Sequence, residues 1–175
     1  MCSTLSMLNQ IPLVEHDGYP LAYFITFRCY GSWLHGDARG SVEPQQNQPG
    51  APLLPADPIR HKSRRNQQKQ PPMELGVMHR KTIDSTIREV CHHRRWNLYA
   101  LSVRSNHVHV VVGAKCTPEM VMNSFKSWST RRLREQNLMA KIRKVWSRHG
   151  STRYLWTNKD MEESFIYTME AQDKH

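Results

Sequence analysis

The sequence predicts an α+β fold: an antiparallel sheet with helices on one face, followed by a further C-terminal helix. Three observations lead there. Alternating runs rich in β-branched and aromatic residues occur near residues 20–30, 98–104 and 107–112. Helical spacing fills the stretches after Gly76 and after Thr117. The length, 175 residues with 38% hydrophobic side chains, suits one filled core and is short for two.

Residues 1–18 show no period and read as a flexible arm, leaving residues 19–175 as a single domain. In the first strand Leu21, Tyr23, Ile25, Phe27 and Cys29 alternate with Ala22, Phe24, Thr26 and Arg28. Apolar residues on both faces place it centrally in the sheet. From about 37 to 75 the chain carries seven of its ten prolines and six glutamines, which predicts a long surface loop without ladder or helix. The basic middle of that loop (Arg60, Lys62, Arg64, Arg65, Lys69) suits nucleic-acid contact and simple solvation equally. Ile83, Ile87, Val90 and Cys91 then recur at helical spacing. Residues 98–104 and 107–112 form a hairpin through Ser105-Asn106. Thr117-Pro118 is an N-cap with a first-turn proline, and the helix it opens carries Val121, Phe125 and Trp128 on one stripe. One or two short strands surround Gly150, and Thr157 with Asp160 starts a last helix that runs to about Gln172. The first six elements follow the β-α-β-β-α-β order of a ferredoxin-like sheet.

Composition narrows function. No run approaches 18 apolar residues, so no membrane span is expected, and the N-terminus lacks the basic start and apolar core of a secretory signal. Cys2, Cys29, Cys91 and Cys116 form no C-x-x-C pair, which argues against a disulfide framework or zinc ribbon and for reduced thiols in a cytoplasmic protein. The net charge of +10 points to a polyanionic partner, because each neutralised phosphate releases condensed counterions. Lys126, Arg131, Arg132, Arg134 and Arg148 belong to a basic cluster holding a single acid, Glu135, and are the candidate DNA-groove residues. The chain's end reverses sign with Asp160, Glu162, Glu163, Glu170 and Asp173, which suits a cation site beside a phosphate-binding surface.

His107-Val108-His109 carries the chemistry. Side chains alternate along a strand, so the two imidazoles emerge on one face with Val111, while Val108, Val110 and Val112 point to the other. Such a pair is two-thirds of a metal site, or else two satisfied surface histidines. On a wheel of the last helix, Met161 and Met169 lie within about 40° of Phe165 and form the expected buried stripe. Tyr167 falls at roughly 200°, among Glu163 and Glu170 and away from the core.

The segment Asn106-His107-Val108-His109-Val110-Val111-Val112 resembles the histidine–hydrophobic–histidine (HUH) motif of single-tyrosine HUH transposases, a group that includes the REP-associated tyrosine transposases. Tyr30-Gly31-Ser32-Trp33-Leu34-His35-Gly36-Asp37 is similar to the stretch after the first strand in one branch of them. Trp146 to Trp156 and the helix bearing Tyr167 resemble their final strand and tyrosine helix. The resemblance implies a metal-dependent endonuclease and strand transferase acting on single-stranded or hairpin DNA through a 5′-phosphotyrosine. It implies that His107 and His109 ligate Mg²⁺ or Mn²⁺ and that Tyr167 is the nucleophile. Such enzymes commonly place a third ligand one turn after the tyrosine; here that position is Ala171, so Gln172 is placed ahead of Glu170 as the substitute. The resemblance leaves monomer and domain-exchanged homodimer both open. The competing reading is a non-catalytic, RRM-like nucleic-acid-binding module, which would present paired aromatics where this hairpin presents histidines.

Overall fold

Strand β1 (Ala22–Cys29) lies between β3 (His107–Gly113) and β4 (Trp146–Leu155), with β2 (Asn97–Val103) outside β3. All three pairings are antiparallel, giving the order β2-β3-β1-β4 of a ferredoxin-like sheet. The computed structural model describes residues 18–34, 36–37, 54–140 and 142–170. The helices are α1 (Pro58–Asn66), α2 (Val77–Arg94), α3 (Pro118–Glu135) and α4 (Asn158–Glu170).

The two faces of the sheet are unlike. Tyr23, Ile25 and Phe27 of β1 and Val108, Val110 and Val112 of β3 face α2 and α3, whose Ile83, Ile87, Val121, Phe125 and Leu133 complete the main core. Each such side chain contributes roughly 1.5–3 kcal/mol on burial, so this layer dominates stability. The other face is partly covered by α4, which packs Met161 against Ala22, Ala100, Val111 and Leu155. The alternation expected for β1 and β3 is therefore the one observed.

Four details depart from expectation. The proline-rich stretch contains a helix, α1, because Asp57 caps it by accepting from Arg60 N at 2.9 Å and Pro58 occupies the first turn, where no N–H is required. That helix buries nothing, and its start is held against Gly36 (φ +87), where an added Cβ would collide with the Asp57 carbonyl. Past Pro71-Pro72, Met73 and Leu75 enter the core rather than remaining on the surface. On α3, Trp128 is 40% exposed, because the buried stripe advances by four, from Val121 through Phe125 and Ser129 to Leu133. On α4, Met169 is exposed, and the buried residues are Met161, Ser164 and Thr168 with Phe165 half-buried. The one or two strands expected around Gly150 are a single one, β4, within that expectation, and it carries an irregularity: two steps along β1, from Phe27 to Cys29, match four along β4, from Gly150 to Trp146.

Both predicted caps form. Thr117 accepts from Met120 N, and Thr157 and Asp160 cap each other reciprocally, with Asp160 N to Thr157 Oγ1 at 3.1 Å and Thr157 N to Asp160 Oδ2 at 3.2 Å. Among the described residues Cys29, Cys91 and Cys116 are free thiols. No described helix is long and apolar enough to cross a membrane.

Candidate active site

Strand alternation delivers His107 and His109 to the α4 face, with ring centroids 4.5 Å apart. His109 is 5% exposed and lies directly across from Thr26 of β1, whose Oγ1 is hydrogen-bonded to its Nδ1 at 2.8 Å. Phe24, one alternation earlier on β1, stacks on the same imidazole at 5.6 Å and 23°. His107 donates from Nδ1 to Asn106 Oδ1. Each imidazole is thus held at Nδ1, an arrangement that orients Nε2 for ligation. Burial first, and then the charges of His107, Arg28 and Arg104, push His109 down to about 3. Its imidazole is neutral across the physiological range, as a metal ligand must be.

Tyr167 of α4 joins this pair. Its ring is 5.4 Å from that of His109 and 5.7 Å from that of Phe24, edge-on to both. The expectation that Tyr167 points away from the core is corrected: it flanks the sheet-facing side, although 54% exposed. The reason is the nature of the buried stripe. Ser164 and Thr168 are small, and the Thr168 hydroxyl turns inward to the Ser164 carbonyl at 2.7 Å, so the sheet meets a different side of the helix from the one the methionines suggested. The Tyr167 ring consequently reaches His109, the neighbour of His107, within one chain.

The described donor set is these two imidazoles. Among the described residues no group of three His, Cys, Asp or Glu side chains is placed to hold a metal ion. Glu170 ends α4 and is exposed, while Gln172 lies outside the described residues.

The basic residues divide between the two faces. Lys126 is buried, 8% exposed, and its ammonium donates to the carbonyls of Ser147, Arg148 and His149 at 3.0, 3.4 and 3.2 Å, the segment where β4 departs from its register with β1. This differs from the exposed, DNA-facing position expected for it: an irregular strand segment leaves carbonyls to satisfy, and an ammonium with three donors can satisfy three of them. Burial pushes its pKa down to about 8, so it remains charged at neutral pH. Arg131 pairs with Glu135 at 2.8 Å and Arg132 with Glu89 at 2.7 Å; Arg134 and Arg148 are exposed. A cleft of about 520 Å³ runs between α3 and the start of β4, lined by Lys126, Arg131, Arg134 and Trp146 among others. As α3 covers the main-core face, its arginines lie across the sheet from the histidines. Sequence reasoning overlooked the arginines that share the histidine face. Arg28 lies opposite His107 in the β1–β3 register, and Arg104 bonds through its backbone N to His107 O at 2.8 Å. The signal was available in the alternation that put Arg28 beside Thr26.

A basic chain with an antiparallel α+β sheet and an imidazole pair beside a phenol has the makings of a protein that processes nucleic acid, and comparison with known families agrees. The family model described as "Transposase IS200 like" matches residues 68–165, from the end of the proline-rich stretch into α4 and including both histidines. The match takes in more than half of the chain, which belongs to the IS200-like transposase family. Among solved structures it is similar in fold to a candidate transposase from Deinococcus radiodurans R1, at 13% identity and TM-score 0.50 over 92% of this chain and 97% of that one. A REP-associated tyrosine transposase bound to a REP hairpin aligns at 12% identity and TM-score 0.46, over 84% of this chain; the chain spans 63% of that protein's length. No curated protein matches.

Proposed function

We propose that this chain is a nuclease and strand transferase of single-stranded or hairpin DNA, with Tyr167 as nucleophile and His107 and His109 as ligands of Mg²⁺ or Mn²⁺. The observation that carries the reading is the convergence of three rings on one sheet face: His107 to His109 at 4.5 Å and His109 to Tyr167 at 5.4 Å. The residues suit a divalent cation, since both Nδ1 atoms are engaged and His109 is neutral, leaving nitrogen lone pairs for ligation. Gln172 or Glu170 would add the oxygen ligand that a hard cation prefers. When bound, the metal would polarise a non-bridging oxygen of the scissile phosphate and offset the charge that develops there.

The Tyr167 oxygen attacks phosphorus as its proton leaves. The bond from phosphorus to the 3′ oxygen breaks, that oxygen takes up a proton, and the DNA 5′ end stays esterified to the phenol. A second 3′-hydroxyl can reverse the step without ATP because the ester conserves the bond energy. His109, fixed by Thr26 and Phe24, and Tyr167, resting on both Phe24 and His109, start from a preorganised geometry. With the Tyr167 ring against His109 in cis, a monomer would suffice on this reading, and a homodimer would not need to exchange α4. Arg131, Arg132, Arg134 and Arg148 would add phosphate contacts outside the reacting centre, with Lys126 shaping that surface from within. An RRM-like platform is disfavoured, because Phe24, the one Phe, Tyr or Trp that β1 and β3 present on this face, is covered by His109 and Tyr167.

The test is incubation with a labelled hairpin oligonucleotide and Mn²⁺, followed by denaturing electrophoresis. Wild type is expected to give a covalent adduct. Tyr167→Phe should bind DNA normally and give none, and His107→Ala should cut adduct formation at least a hundredfold. An adduct that persists in Tyr167→Phe would show that another residue is the nucleophile.

A further inference from the structure

Helix α1 has no part in the chemistry above and none in the core. It buries no residue, and its 9 positions hold Arg60, Lys62, Arg64 and Arg65 but no acid. A helix this short is marginal in water on its own, so the fold has to hold it in place. Asp57 caps its start, the Gly36 backbone packs on its first turn, and beyond its end the Tyr30 hydroxyl accepts from Lys69 N at 3.3 Å. Gln70 then exchanges two hydrogen bonds with the backbone of Lys144: Nε2 donates to Lys144 O at 2.8 Å, and Lys144 N donates to Oε1 at 2.9 Å. Arg143 donates to the Pro72 carbonyl at 3.3 Å. A second basic segment, 74 residues further along the chain, is thereby fastened beside the first. Lys62, Arg64, Arg65, Lys69 and Lys144 are all exposed. No acid lies between Asp57, engaged as the cap, and Glu74, and residues 136–149 hold none either. The anchors Tyr30 and Gly31 directly follow β1, at the end of the sheet where Cys29 N bonds to Asn106 O at 2.8 Å, next to His107.

We propose that α1, together with Lys69 and Lys144, is a docking surface for the phosphate backbone of duplex DNA: it holds the stem of a hairpin whose single-stranded part enters the site at His107. Exposed cations uninterrupted by acids suit a polyanion, which binds by releasing its condensed counterions. The choice of duplex follows from what the surface lacks. Surfaces for single strands interleave cations with aromatic rings on which bases stack. Among the described residues of 54–72 and 142–149 no Phe, Tyr or Trp is exposed, so this surface meets backbone charge and not bases. Helix α1 is about 13 Å long, a span over which a duplex carries about eight phosphates, so its cations have enough partners along one stem. The helix lies ahead of residues 68–165, which the family model matches, so the surface is built largely from a segment outside that common part. This assignment rests on the proposed DNA reading for the course of the strand, but its test does not require cleavage.

The experiment measures binding to the whole protein in EDTA by fluorescence anisotropy across a salt series, with two labelled probes: a hairpin oligonucleotide and a single-stranded oligothymidylate. Each phosphate contact on a duplex adds about 0.9 to the slope of log affinity against log salt. The double variant Arg64→Gln/Arg65→Gln should lower the hairpin slope by about 1.8, and Lys144→Gln by about 0.9. Both should keep the wild-type slope on oligothymidylate. Arg64→Lys/Arg65→Lys keeps the charge and should keep the hairpin slope, which ties the loss to charge and not to the shape of α1. Arg88→Gln, on α2 and paired with Asp84, should change neither slope. Because α1 buries nothing, all of these variants should melt with wild type. Wild-type hairpin slopes in the Gln variants would overturn the proposal, and an equal loss on both probes would overturn its assignment to duplex. Wild-type slopes together with normal Mn²⁺-dependent adduct formation would sink the α1 surface alone; reduced hairpin slopes in a protein that forms no adduct would sink the tyrosine chemistry and leave the surface standing.

Discussion

Replacing Lys126 by Met separates a structural role from a DNA-binding one. Its ammonium makes three hydrogen bonds to the carbonyls of Ser147, Arg148 and His149. With a charged donor each is worth roughly 1.5 kcal/mol, or about 4–5 kcal/mol in all. Against that stands the cost of burying the charge, visible in the fall of its pKa from 10.5 to about 8. That shift corresponds to about 3 kcal/mol, reduced to about 2 by solvent near the strand edge. Met preserves the stem and removes the burial cost, but strands three acceptors, so the expected net loss is about 2–3 kcal/mol. For a chain of this size each kcal/mol moves Tm by about 2–4 °C, so Lys126→Met should melt roughly 5–10 °C lower. The pH dependence has a definite sign. The folded pKa is depressed, so between about pH 8 and 10.5 the unfolded chain holds more protons and wild type gains stability as pH rises. Lys126→Met lacks that gain, and its deficit should widen over the same window. Thermal melts at several pH values read all of this. An unchanged Tm accompanied by a clear loss of DNA affinity would show that the ammonium serves DNA and not the strand.

Two further predictions concern the frame of the site. An added Cβ at Gly150 would lie 2.6 Å from the Thr26 carbonyl oxygen and would also collide with the Met122 sulfur. The thioether can swing aside but the backbone cannot, so Gly150→Ala should cost about 1–3 kcal/mol by denaturant titration; a cost below about 0.5 kcal/mol would mean that the strand relaxes freely. His109 has its folded pKa near 3 against 6.5 in the unfolded chain, because burial and neighbouring positive charges disfavour its cation. Its stabilising contribution is complete above pH 6.5 and declines toward pH 3, by on the order of 3 kcal/mol after allowing for screening. Metal-free wild type should therefore lose stability through that window more steeply than His109→Asn, and parallel acid profiles would contradict the buried, neutral imidazole.

Much of the fold was readable because two periodicities are strong in this chain. Alternation in β1 and β3 separated Val108, Val110 and Val112 from His107, His109 and Val111 without reference to any partner. Capping chemistry at Thr117 and Thr157 marked two helix starts correctly, since those bonds are local. Asp57-Pro58 carried the same kind of signal and was outweighed by the surrounding prolines. Side chains whose environment depends on a distant element were misread. Met169 and Trp128 are apolar but exposed, whereas Thr168 and Ser164 are small, polar and buried. Hydrophobicity alone ranks those pairs in the wrong order.

From the linear chain came the imidazole pair, its strand, the basic charge and a tyrosine on the last helix, because each depends only on residue type and short-range spacing. Tertiary structure decided which side of α4 meets the sheet, and with it the approach of Tyr167 to His109. It also drew Lys126 inward to the carbonyls of β4 and left Arg28 and Arg104 beside the histidines. These outcomes depend on contacts between segments tens of residues apart, set by packing and by the need to satisfy backbone groups, and no local pattern encodes them.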